Sequence, residues 1–331
     1  MTKIEVAMRE YADWCSAIGV NTLDKLRMVM EEGRVIPLIN LCEARQERKY
    51  AEIANQIYWK KDKCRIVMMS GPSSSGKTSS SLRIAQQCRV LGLVPKVIEL
   101  DNYFVDRDKT PRNADGKYDF EALEAMDINF LGEQISDLLS GREIELPKFD
   151  FVSGTRHFDG KRMRLEKGDI LFMEGIHALD PAMTPSIETD KFFKIYVSAL
   201  SALPSEDKEH NSTTDKRLLR RIVRDNRTRG ISPEETILRW PSVREGELRY
   251  IFPFEENADV VFNSSMLYDL PVLKHYAQSL LSGITSESGA YEKAQSLLSF
   301  LSKVIALNDS EIAAIPPTSI MREFIGGQML Y

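Results

Sequence analysis

Cysteine is scarce: the 331 residues hold four, Cys15, Cys42, Cys64 and Cys88, and none stands at metal-ligand spacing from another. This scatter argues against a disulfide-stapled scaffold or a structural zinc site and fits reduced, buried thiols. Long apolar runs are missing too, and Met1 to Glu10 carries charges where a signal peptide needs an apolar core. Membrane association is therefore not expected, and a cytoplasmic protein is. Nor is there a basic excess, with 44 Lys and Arg against 49 Asp and Glu and a net charge of -5. A general nucleic-acid binder needs the opposite balance, so any anion site must be local. No internal repeat or low-complexity tract occurs. The 43% hydrophobic content that is present suffices for one large α/β domain with smaller attachments.

Residues 71 to 78 read Gly-Pro-Ser-Ser-Ser-Gly-Lys-Thr, between the apolar run Ile66 to Met69 and a helix-forming stretch. In this phosphate-binding loop pattern Gly71 and Gly76 let the backbone curl around Ser73, Ser74 and Ser75, so that successive N–H groups converge on phosphates. The N-terminus of the following helix adds positive potential, Lys77 a full charge, and Thr78 a hydroxyl suited to Mg²⁺. A chain of this length matches the pattern by chance about once in a hundred. ATP with Mg²⁺ is the expected ligand.

Residues 1 to 62 read as a helical lead-in, with Leu23, Leu26 and Val29 and then Leu38, Ile39 and Cys42 at helical spacing. Beyond the loop, Val94 to Leu100, Asp169 to Met173, Phe192 to Val197 and Asp259 to Phe262 are candidate strands alternating with helical patterns, which predicts a parallel sheet covered on both faces. Val105 to Tyr118 and Ser205 to Thr214 are polar, without strand character, and candidates for mobile segments. The divisions expected are a lead-in at 1–62, a phosphate-loop core at 63–265 with a lid around 205–240, and two helices with a tail over 266–331.

In open parallel sheets ligands sit beyond the carboxyl ends of the strands, so acids placed there stand out. Asp101 follows Val97-Ile98-Glu99-Leu100, where it suits a base for an attacking hydroxyl or, equally by its type, a turn cap. Glu174 ends the apolar strand Asp169 to Met173 as a Walker B acid does, and either acid suits the metal side of the site. Six arginines lie between Arg217 and Arg229, the strongest positive field in an acidic chain. On a helix Arg217, Arg221 and Arg224 share a face, which suits a lid over a triphosphate; for any one of them, a solvated basic helix fits as well.

Over residues 62 to 265 the chain resembles the uridine kinase and phosphoribulokinase family of P-loop kinases. The resemblance is carried by Leu100-Asp101-Asn102-Tyr103-Phe104, Tyr118-Asp119-Phe120-Glu121, Pro147-Lys148-Phe149-Asp150-Phe151, Phe172-Met173-Glu174-Gly175-Ile176 and the run from Arg220 through Arg224-Asp225 to Arg229-Gly230. It implies Asp101 as general base, Thr78 and Glu174 beside magnesium, Arg224 and Arg229 as phosphate clamps, and Tyr103, Glu121, Phe149, Arg156 and Arg221 on the acceptor side. Glu121 stands where the family has an aspartate, Phe149 where it has a tyrosine, and Gly154 where uridine kinases have a base-contacting histidine.

Residues 36–62 and the tail Ile315 to Gly327 resemble a bacterial uridine-kinase-like subgroup, whose kinase commonly follows a threonyl-tRNA-synthetase-like region. The resemblance implies a kinase acting on a uridine- or cytidine-like nucleoside. A kinase for another alcohol, such as a sugar phosphate or a pantothenate-like acceptor, and a non-catalytic ATP sensor are the alternatives. The terminal helices offer surface for a homo-oligomer.

Overall fold

The computed structural model describes residues 1–112, 116–184, 187, 191–201, 203 and 212–330. The chain opens with three helices, α1 (Lys3–Ala17), α2 (Leu23–Glu31) and α3 (Val35–Lys60). Thr2 and Glu5 cap α1 reciprocally, each side chain meeting the other's backbone N–H. Strand β1 (Ile66–Ser70) then runs through the loop into α4 (Lys77–Val90), followed by β2 (Val94–Glu99), α5 (Ile128–Leu139), β3 (Ile144–Asp150), β4 (Thr155–Met163), β5 (Asp169–Glu174) and β6 (Phe192–Ser198). The chain continues through α6 (Ser212–Arg229), α7 (Pro233–Tyr250), β7 (Val260–Asn263), α8 (Asp269–Ser282), α9 (Tyr291–Ser302), α10 (Asp309–Ala313) and α11 (Met321–Ile325).

Five strands form one parallel sheet in the order β2, β5, β1, β6, β7. Every residue of β1 and β5 is buried, which is why both read as near-continuous apolar runs. The two-residue period sends Val67 and Met69 to the face covered by α3 and α4, where they meet Ile57, Ile84 and Cys88. Ile66 and Met68 turn to the other face, against Leu131, Ile135 and Leu138 of α5. The α/β parallel sheet with helices on both faces, expected from the alternation, is the observed fold.

The order places β1 where the sheet reverses its direction of growth, and the crevice beyond its carboxyl end is where ligands collect. Register does the rest. Met69 pairs with Glu174, and Glu174 pairs in turn with Glu99. The loop after β1, the acid ending β5 and the turn carrying Asp101 after β2 thus lie side by side.

Two expectations are corrected. Residues 144–163 form an antiparallel hairpin that the strand search passed over. Its second strand is exposed along most of its length, so it carries no apolar alternation to find. The stretch after Leu267 holds four helices rather than two and a tail, because α10 and α11 are five residues long and too short for a periodic signal. Val105–Tyr118 carries a short 3₁₀ turn at Arg107–Lys109 and a single bridge from Arg112 to Tyr118. Within the stretch Ser205 to Thr214, residues 205–211 lie outside the described residues.

A second core joins elements distant in sequence. Leu26 of α2, Ile39 of α3, Leu218 and Ile222 of α6, Leu273 of α8, Leu297 of α9 and Phe324 of α11 pack in one cluster. Residues 1–62 and 266–331 therefore meet around α6, and α6 is a core helix along its apolar side. All four cysteines are buried and none is in a disulfide. Burial pushes the Cys88 thiol up to about 12, which leaves it inert.

Candidate active site

The phosphate loop is shaped by two close approaches. A Cβ on Gly71 would lie 2.0 Å from the carbonyl oxygen of Val197 in the neighbouring strand, so only glycine fits. Gly76 has φ of +84°, and a Cβ there would also meet the Ile320 side chain at 2.4 Å. Ser74, at φ of +58°, completes the curl.

The loop is held from behind by α6 and α7. Ser73 N–H donates to Glu247 Oε1 at 3.1 Å while Arg217 Nε donates to the Ser73 carbonyl at 2.9 Å. Arg217 and Glu247 form a buried ion pair. Arg220, fully buried, reaches the Ser74 carbonyl at 3.5 Å, the Ser264 carbonyl at 3.0 Å and Asp269 at 2.8 Å. The arginine cluster read from the sequence therefore has two functions. Arg217 does not close over a ligand with Arg221 and Arg224; it is spent on the loop's backbone, because the carbonyls that the curl turns inward need donors.

Arg221, Arg224 and Arg229 line a cavity of about 950 Å³ together with Ser73, Ser74, Gly76, Lys77, Thr78, Asp101, Glu121, Phe149 and Glu174. Gly71 and Ser75 support the loop without lining it. One buried carboxylate organises the arginines: Asp225, 1% exposed, meets Arg224 at 2.8 Å, Arg221 at 3.3 Å and Arg229 at 3.7 Å. Arg221 also donates to Ser73 Oγ at 2.7 Å, and Arg229 lies over the Phe151 ring. Lys77 is folded back onto the Gly71 and Pro72 carbonyls, at 2.9 and 3.3 Å.

Thr78 Oγ1 donates to Glu174 Oε1 at 2.8 Å. Burial pushes the Glu174 carboxyl up to about 7, with Lys77 opposing and Asp101 reinforcing the rise. A buried carboxylate and a hydroxyl in contact, beside a phosphate loop, fit Mg²⁺, which takes one or two protein oxygens and completes its shell from phosphates and water. Asp101 is exposed to the cavity in the 3₁₀ turn Leu100–Tyr103.

Glu121, which also lines the cavity, packs its Cβ against Gly246, where an added Cβ would approach to 2.4 Å. Burial pushes Glu121 up to about 7 against the pull of Arg221. Phe149 packs at a tilt on Phe104 and edge-on to Phe151, ring centroids 5.6 and 5.2 Å away. Gly154 has φ of +74°, and a Cβ there would collide with Arg107, whose guanidinium Nη2 donates to the Phe151 carbonyl at 2.7 Å. Where the resemblance expects a histidine side chain, Arg107 fills the space. His157 lines the cavity as well.

Two expected acceptor residues are not brought to the cavity. Tyr103 is buried, its hydroxyl donating to Gln134 Oε1 at 2.6 Å, and Arg156 pairs with Asp127 at 2.9 Å over the Phe130 ring. Both side chains are engaged by α5 or its N-cap Asp127 instead, a distinction that adjacency in sequence does not carry. Reading the sequence missed Glu247, Arg107 and Glu323, each of which reaches the site across a long chain separation, and it quoted Asp225 in the arginine run without giving it a role. The signal for Asp225 was local, a lone acid within the arginine run and within four residues of each arginine it pairs with.

Residues 66–270, more than half of the chain, match the model of the phosphoribulokinase / uridine kinase family. The chain belongs to that family. A uridine kinase from Macrococcus caseolyticus is 29% identical over 224 residues, 66% of this chain and 98% of that protein. A uridine kinase from Deinococcus deserti is 28% identical over 197 residues, 59% of this chain and 86% of that one. Among solved structures, one described as a candidate uridine kinase from Bacillus stearothermophilus aligns with TM-score 0.39 and 19% identity over 61% of this chain and 89% of its own. Membership in this kinase family and the phosphate loop together imply nucleotide use. Among the described residues no helix is long and apolar enough to cross a membrane.

Proposed function

We propose that the protein is an ATP-dependent kinase that transfers the γ-phosphate to a hydroxyl of a uridine- or cytidine-like nucleoside. The observation that carries this reading is the convergence of Asp101, Lys77, Thr78, Glu174 and three arginines on one cavity. Lys77 leaves its carbonyl contacts for the β- and γ-phosphates, and the curled N–H groups orient the chain of phosphates for in-line attack. Asp101, facing the cavity from the end of β2, takes the proton of the attacking hydroxyl. Arg224 and Arg229, held by Asp225, neutralise the charge that builds on the transferred group, and Arg221 lies between phosphate and acceptor. Thr78 and Glu174 would hold Mg²⁺, whose contribution is to draw charge from the phosphate oxygens.

Glu121 is placed to accept hydrogen bonds from sugar hydroxyls, and the rings of Phe104, Phe149 and Phe151 give a flat base something to stack on. Residues 1–62 contribute no lining residue, so in this reading the lead-in helices are scaffold for α6 and α8.

The test is ADP release from ATP-Mg²⁺ across a panel of nucleosides, sugar phosphates and pantothenate-like alcohols. Turnover with uridine or cytidine that Asp101→Asn removes is the expected result. Turnover confined to another acceptor would reassign the substrate, and none with any acceptor despite ATP binding would favour a sensor.

A further inference from the structure

The end of the chain reaches the phosphate loop, and the contact is a carboxylate on an amide. Glu323, on α11, accepts from Ser79 N–H at 3.2 Å and from Ser79 Oγ at 2.6 Å, both on Oε2. Ser79 is the third residue of α4, so its N–H is one of the helix-start donors that have no partner within the helix. In a phosphate loop these donors, with the positive end of the helix, serve the phosphates of the nucleotide. Glu323 lines the same cavity as Lys77 and Thr78.

The segment around Glu323 is anchored at several points. Gln328 Nε2 donates to Ser79 Oγ at 2.6 Å, and Arg83 donates to the Thr318 carbonyl at 2.7 Å. Ile320 fills the space above Gly76, and Met321, Phe324 and Ile325 are buried. Arg227 donates to the carbonyls of Phe324 and Glu323 at 3.2 and 3.1 Å. Arg227 sits on α6 between Arg224 and Arg229, so the grip on the tail and the cavity's arginines share the last turns of one helix.

We propose that residues 318–328 are an internal competitor of the nucleotide, with Glu323 holding the α4 amide until a phosphate displaces it. The proposal rests on the nucleotide reading of the cavity. One N–H serves one strong acceptor, and two anions brought to the same donor repel each other. Apparent affinity is then the intrinsic affinity multiplied by the fraction of molecules whose carboxylate has left. Release of the segment frees Arg227 and loosens the turns that carry Arg224 and Arg229.

Calorimetric binding of ATP-Mg²⁺ to the full chain tests this, comparing the unaltered protein with Glu323→Gln, Glu323→Ala and Gln328→Ala. Glu323→Gln keeps the shape and removes the charge. Both Glu323 variants are expected to bind about tenfold more tightly, the size of a lost charged hydrogen bond, and Gln328→Ala to gain less. Unchanged or weaker binding in both Glu323 variants overturns the proposal and leaves the nucleotide reading standing. Failure of all four proteins to bind ATP overturns the nucleotide reading and the proposal with it.

Discussion

Arg220→Met perturbs the buried charge cluster that fixes the phosphate loop. Asp269 is 0% exposed and faces Arg220 at 2.8 Å, Lys216 at 3.4 Å and the Met266 N–H at 3.1 Å. Removing Arg220 takes away the nearer cation and leaves only Lys216, whose charged form burial already disfavours. Breaking a buried pair costs about 3–5 kcal/mol, and the remaining lysine puts this case near 3. That is a large share of the 5–15 kcal/mol typical of a folded domain. Asp269→Asn should cost more, since two buried cations then lose their counter-ion. The triple change Lys216→Met, Arg220→Met and Asp269→Leu should recover part of the Asp269→Asn loss, since no buried charge is left unpaired, while the Met266 N–H and the Ser74 and Ser264 carbonyls lose their partners at about 1 kcal/mol or more each. Urea unfolding followed by circular dichroism reads all of these variants, with an unchanged slope showing that stability alone has moved. A loss below about 1 kcal/mol in Arg220→Met, or a triple variant no more stable than Asp269→Asn, would refute the account.

Lys77→Ala should abolish phosphoryl transfer with little effect on folding, because among the described residues its amine donates to two loop carbonyls and no more; single-turnover kinetics and thermal melts check the two halves. Asp101→Asn should keep ATP affinity within about threefold while turnover falls by a factor of 10² or more, the usual size of a general-base contribution; equal losses in binding and turnover would assign it a ligand-holding role instead. The ligand-free protein should lose stability as pH rises from about 4.5 to 7. Glu174 and Glu121 both have folded-state values raised to about 7, so the native state holds protons that the unfolded chain releases earlier. Glu174→Gln should flatten that slope, seen as a smaller difference in melting temperature between pH 5 and pH 8.

The phosphate loop, the parallel strands and the acids ending them were legible because each is a local pattern. A glycine needed at a tight curl, an apolar run buried on both faces, and a carboxylate at or just past a strand's end all leave their mark within a few positions. The rest of the cavity was less legible. Tyr103 and Glu121 look equivalent as polar residues in family-like segments, yet one hydroxyl turns inward to Gln134 and the other side chain lines the cavity. Facing is set by the packing of α5 and the β3–β4 hairpin, and the hairpin itself carries no period to announce it.

By itself the sequence determined the phosphate site and the positions of the parallel strands along the chain, since glycine conformation, strand burial and helix-start chemistry act over short stretches of chain. Tertiary structure alone decided which arginines serve the cavity and which the loop's carbonyls. It also brought Glu247 and Glu323 to their posts. The physical reason is that a buried charge must find its partner in space, and a partner 30 or 244 positions away, as Glu247 is from Arg217 and Glu323 from Ser79, leaves no trace in local pattern.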